Sequence, residues 1–68
     1  MKGTSKFDSL AAQRIAAGHT VTSLAKKANL SDWIIRQVEA GGNVDNTSAQ
    51  RIADALGVSL ATLGQRLL

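Results

Sequence analysis

The residues with the most chemistry to offer lie in "NLSDWIIRQVEAGG", residues 29–42. If Ile35 and Val38 turn into a core, helical geometry carries Trp33, Arg36, Gln37 and Ala40 across the opposite side. That side presents a guanidinium, a carboxamide and an indole N–H, groups that recognise rather than transform. Gln37 offers a donor and an acceptor side by side, and Arg36 a fork of donors. The chain has two aromatic residues, Phe7 and Trp33, and the only tryptophan falls on the wet face. Exposed apolar surface of that size generally means a partner.

Catalysis lacks its parts. The 68 residues hold no cysteine, so disulfides and thiolate metal sites are excluded. One histidine and five scattered carboxylates make no metal centre or acid–base dyad. Neither an enzymatic activity nor a cofactor is expected. No apolar run approaches the roughly 20 residues that span a bilayer, and no signal-peptide core follows Met1. A cytoplasmic protein of one domain, residues 1–68, is the expectation, with no room for a separate ligand-sensing domain. The net charge is +3, unevenly placed. Residues 1–36 carry six Lys/Arg against Asp8 and Asp32, giving +4; residues 37–68 carry Arg51 and Arg66 against Glu39, Asp45 and Asp54, giving −1. The basic half would face a polyanion.

The elements that must position these groups read as helices. There is no proline, no strand-like alternation shows, and small residues and leucines recur at three- and four-residue spacing. Ser5 caps a first helix carrying Phe7, Leu10, Ala11, Arg14 and Ile15, which stops at Gly18. Thr20 caps a short second helix with Leu24, Ala25 and Ala28 inward. Ser31 caps a third that runs to Ala40 and stops at Gly41 and Gly42. After a polar loop, residues 43–46, Thr47 opens a fourth helix with Gln50 completing a capping box, and Gly57 ends it. Ser59 caps a last helix bearing Leu60, Leu63 and Leu67. The expected fold is all-α, a compact five-helix bundle, with fraying at residues 1–5 and 67–68.

Within it, "VTSLAKKANLSDWIIRQVEA", residues 21–40, demands a tight helix crossing. Ala25 must be small because the next helix passes over it. Asn29 occupies a turn that needs a left-handed backbone, which asparagine tolerates. Leu30 tucks the turn into the core. A helix-turn-helix of this kind offers its second helix to the DNA major groove.

The chain resembles the Cro/repressor family of helix-turn-helix regulators, the class of phage repressors and xenobiotic-response-element-type regulators. The resemblance runs from about Phe7 to Leu63 through "QRIAAGHT", "SLAKKANLS", "QVEAGG" and "IADALGVSLATL", in correct order and spacing. It implies a transcriptional regulator, most simply a repressor, that binds double-stranded operator DNA as a two-fold dimer. A bacterial or phage origin and association with the nucleoid follow from the same resemblance.

The resemblance also implies roles. Arg14 and Glu39 match an ion pair beneath the DNA-facing surface; a phosphate contact is the competing role for Arg14. Asp32, Trp33, Arg36 and Gln37 match positions that read bases or nearby phosphates. Gln37 suits an adenine edge, Arg36 a guanine or a phosphate, and Trp33 a thymine methyl or a sugar; Asp32 repels phosphate but can accept from a cytosine amino group. Thr20, Lys26, Lys27 and Ser31 fall on the phosphate-contacting side, although Lys26 and Lys27 read equally well as solvated. The chain departs from the family at Val21, where a glutamine often reaches a phosphate. It departs again at "GGNVDN", where basic residues are common. Backbone amides of Gly42 and Asn43, and the helix start at Thr47, remain as phosphate donors there. His19 is expected to staple onto Leu24.

A rival from another class is a protein-interaction module of the same fold, anchored by Trp33 and Ile34. The basic half favours DNA; Asp32 and Asp45 favour a protein. The segment "LATLGQRLL" is the expected dimer surface, with Leu60 and Leu63 inward and Leu67 and Leu68 left to fray or to pair. So small a patch implies a weak homodimer formed on palindromic DNA, against the ~1,200 Å² of a stable interface. No small-molecule or membrane partner is expected.

Overall fold

The computed structural model describes residues 3–67. Its elements run β1 (Thr4–Phe7), α1 (Leu10–Ala16), α2 (Val21–Ala28), α3 (Asp32–Glu39), β2 (Val44–Asp45), α4 (Asn46–Leu56) and β3 (Gln65–Leu67). The three short strands form one antiparallel sheet in the order β2-β1-β3. Ser5 stands opposite Val44 on one side and Leu67 on the other, and Phe7 stands opposite Gln65. The helices pack around α2, which lies against both α3 and α4. No described helix is long and apolar enough to cross a membrane.

One core serves every element. Leu10, Leu24, Ile35, Val38, Ile52 and Leu63 are at most 1% exposed, and Phe7 and Val44 seal it from the sheet. Between them Ala25, Ala28, Ala49, Ala53 and Ala55 are buried. Small side chains at the crossings let α2, α3 and α4 approach closely without strain, the packing by which so short a chain closes a core. Val21, Leu30, Ile34, Leu56, Val58 and Leu60 pack around its rim.

The helix boundaries follow local chemistry. Asn29 ends α2 at φ 58°, Gly57 ends α4 at φ 69°, and both close their helices with the left-handed residue that frees the chain to turn. At the start of α4 the cap is Asp45, not Thr47: its carboxylate accepts from the Ser48 amide. Gln50 does not complete a box with Thr47 and instead donates to Asp54.

The expectations for the two ends of the chain need correction. The fold is not all-α and has no fifth helix among the described residues. Ser5 caps nothing; it is the fully buried residue of the central strand, and α1 begins only after Ser9. Thr4 and Ser5, expected to fray, are held by pairing on both sides of β1. Ser59 does cap, but it caps a run of turns over residues 60–64 rather than a helix. The chain then reverses at Gly64, φ 72°, so that Leu67 is in β3. Residues 1, 2 and 68, also expected to fray, lie outside the described residues. The reason is physical. A strand of four residues owes its stability to partners 41 and 60 positions away, and its inward Ser5 hides the alternation that would announce it.

Candidate nucleic-acid interface

The interface is assembled from α2, its turn and α3. Thr20 caps α2 by accepting from the Ser23 amide, while the Ser23 hydroxyl accepts in return from the Thr20 amide, a reciprocal capping box. His19 joins this cap through a 2.8 Å hydrogen bond between Nδ1 and Ser23 Oγ. The turn carries Asn29 in its left-handed conformation, and the Leu30 amide closes back on the Ala25 carbonyl at 2.9 Å. Ser31 then caps α3 by accepting from the Ile34 amide.

The far end of α3 is tied to α1. Arg14 Nε donates to Glu39 Oε2 at 2.6 Å and Nη2 donates to Oε1 at 3.1 Å, a two-pronged contact with each side chain 15% exposed. A third donor, Nη1, reaches the His19 carbonyl at 2.9 Å. The hydrogen bond with Glu39 holds the Arg14 guanidinium in its charged form, with its pKa above the ordinary value. One side chain therefore joins the end of α3 to the residue preceding the α2 cap. It sets the two helices relative to each other and commits three of the five guanidinium N–H donors to the fold.

With the helices fixed, the outer face is defined by what α3 cannot bury. Ile35 and Val38 face inward, while Arg36 and Gln37 are exposed and Trp33 is 68% exposed. Lys26 and Lys27 are exposed in the last turn of α2. Among the described residues neither these lysines nor Arg36 has a carboxylate partner. Two of the chain's basic groups are neutralised elsewhere, Arg14 by Glu39 and Arg66 by Asp8, and the exposed Lys6 and Arg51 belong to β1 and α4, so Lys26, Lys27 and Arg36 are the unpaired cations of the motif itself. Asp32 is the exception on this face: its Oδ2 accepts from the Thr22 hydroxyl at 2.7 Å.

Past α3 the phosphate-contacting set changes. The Gly42 amide donates to the Gln37 carbonyl at 2.8 Å, so that amide is already used inside the turn. The Asp45 carboxylate occupies the first turn of α4, where a phosphate would have to compete with it. Asn43 and Thr47 are exposed beside it. Gly42 also lies against Gln37: a Cβ there would stand 2.5 Å from Gln37 Cγ and 2.8 Å from its carbonyl oxygen. Only glycine lets this turn close over the Gln37 side chain. The contacts of Thr22 and Ser23 were not read from the sequence: the first bonds to a residue ten positions on, and the second completes the Thr20 cap.

A helix-turn-helix family model matches residues 10–63, from the start of α1 to the last core leucine. The chain belongs to the Cro/C1-type helix-turn-helix family. It carries that family's double-stranded-DNA-binding domain and is a DNA-binding transcription regulator. No curated protein and no solved structure matches it. The matched residues leave β1 and β3, the sheet's central strand and one of its edges, outside their bounds.

Proposed function

We propose that the protein is a repressor that reads a palindromic operator through α3 as a two-fold dimer formed on DNA. The observation that carries this reading is the outer face of α3. It offers Trp33, Arg36 and Gln37 to a partner beside two unpaired lysines, from a helix whose other face is fully buried. In this reading Gln37 pairs with an adenine edge, Arg36 takes a guanine or a phosphate, Trp33 packs on a thymine methyl or a sugar, and Asp32 meets a base amino group. Thr20, Ser31, Lys26 and Lys27 hold the backbone, with Asn43 and Thr47 on the far side. The protein would act where the DNA is, in the cytoplasm of a bacterial cell.

Dimerisation is assigned to the C-terminal segment, which supplies the edge strand β3. Leu63 is buried and Leu60 half-buried, whereas Leu67 is 72% exposed on that edge. A single recognition helix reads only a few base pairs, and a two-fold pair places two such helices roughly 34 Å apart on one face of the duplex. The protein-interaction alternative is weakened by Ile34, which packs on the core and leaves Trp33 without its companion anchor.

Selection of binding sites from random duplex DNA at two salt concentrations tests the proposal. A palindromic site, with affinity that falls as salt rises, is the expected result. Recovery of no enriched sequence would overturn it. With no lysine or arginine in the loop after α3, residues 40–45, the salt dependence should be shallow.

A further inference from the structure

Thr22 and Asp32 meet across the two helices of the motif. Thr22 is in the first turn of α2, Asp32 is the first residue of α3, and the threonine hydroxyl donates to Asp32 Oδ2 at 2.7 Å. No lysine or arginine neutralises Asp32 among the described residues. A face that otherwise carries unpaired cations thus keeps one oriented carboxylate. An unpaired negative charge there costs affinity for every phosphate it approaches. It favours binding only where the carboxylate meets a donor.

We propose that Thr22 is a positioning residue that aims the Asp32 carboxylate at a cytosine amino group, making the pair a specificity element for one base position. The inference rests on the DNA-reading function of α3. Thr22 supplies one donor to Oδ2, which leaves Oδ1 as a pure acceptor. In the major groove guanine presents two acceptors and thymine a carbonyl, all of which repel a carboxylate. Adenine sets its N7 acceptor beside its amino donor, so a carboxylate gains one contact and suffers another. Cytosine presents the amino donor alone. Because the Thr22 hydroxyl proton is committed to Asp32, the side chain has no donor left for a phosphate, and its loss should touch base preference rather than general affinity.

The test is the same site selection run on the native chain, Thr22→Val, Thr22→Ser and Asp32→Asn, with a melting curve for each. The native chain should require cytosine at one position of each half-site. Thr22→Val should relax that position by about tenfold, the low end for one base-edge contact, and leave the other positions and the salt dependence unchanged. Thr22→Ser should restore the preference. Asp32→Asn should move the same position toward adenine and raise affinity for all sequences. The two Thr22 variants should melt like the native chain, because Thr22 is exposed, whereas Asp32→Asn removes a negative charge from the start of α3 and should melt slightly lower. A Thr22→Val site identical to the native one would overturn the inference and leave α3 reading intact. Uniform weakening on all sequences, with a changed salt dependence, would overturn it in favour of a phosphate contact. Failure of the native chain to select any site would remove the DNA-reading function, and this inference with it.

Discussion

Arg14 illustrates how a charged residue near an interface can act on the fold first. Its guanidinium makes three hydrogen bonds, two to Glu39 and one to the His19 carbonyl, in a setting where both side chains are mostly buried. Arg14→Ala would leave the Glu39 carboxylate without its partner, which typically costs ~3–5 kcal/mol. The free protein should therefore melt lower before any DNA is present, and Arg14→Lys should recover little, since a point charge cannot make the same fork. An unchanged melting curve with lost DNA affinity would show that Arg14 acts on phosphate instead. Gln37 belongs to the opposite case: exposed, and seated against Gly42. Gln37→Ala should cost ~1–3 kcal/mol of specific binding and relax one or two base positions, as measured by competition between sites. Lys27→Ala should weaken all sequences about equally. Equal effects of the two substitutions would contradict the division between base and phosphate contacts.

At the scale of elements, the sheet is where the two ends of the described chain meet. Ser5 is 0% exposed, donates to Asn46 Oδ1 at 2.6 Å and accepts from Gln65 Nε2 at 2.9 Å. One hydroxyl thus joins β1, the start of α4 and β3. Ser5→Ala would remove the hydroxyl with little other change and take it from both partners, a cost of about 1–3 kcal/mol visible in denaturant unfolding. Loss of less than a few tenths would show that the network is dispensable. On the outer side of the same strands, Arg66 forms a two-pronged pair with Asp8. The hydrogen bond from Arg66 holds the Asp8 carboxyl below its ordinary 3.8. A carboxyl depressed on folding stabilises the fold fully at neutral pH, and that contribution fades as pH falls through the lowered value. An NMR titration should place the Asp8 midpoint below 3.8, and Arg66→Ala should return it to the ordinary range. Because both side chains are largely exposed, the melting temperature near neutral pH should barely move.

For the whole molecule, the question is how a domain about 33 Å along its longest axis reads enough sequence to be selective. One α3 spans only a few base pairs, and the proposed remedy is a second copy across a two-fold axis. The exposed apolar group on the edge strand, Leu67, covers far less than the ~1,200 Å² of a stable interface. The free protein should therefore sediment as a monomer at micromolar concentration and as two copies per duplex on its selected site. One copy per duplex at saturation, with full specificity, would exclude the dimer.

The helix-turn-helix was legible in residues 21–40 because most constraints on it are local. Thr20 and Ser31 cap the helices that follow them, Asn29 takes the left-handed turn, Ala25 makes room for the crossing, and helical spacing alone puts Trp33 opposite Ile35 and Val38. Interactions within a few residues leave their pattern in the order of residue types. The sheet left none. Thr4–Phe7 becomes a strand because Val44–Asp45 and Gln65–Leu67 are brought beside it, and that depends on how α1 and α4 close on the core. Residues 59–64 kept the serine and leucines of a helix start, yet pairing of Gln65–Leu67 with β1 outweighed the short helix they would have made. The Thr22–Asp32 contact and the Ser5 hydrogen bonds to Asn46 and Gln65 belong to the same class. They arise where two elements meet, and the tertiary structure alone decided them.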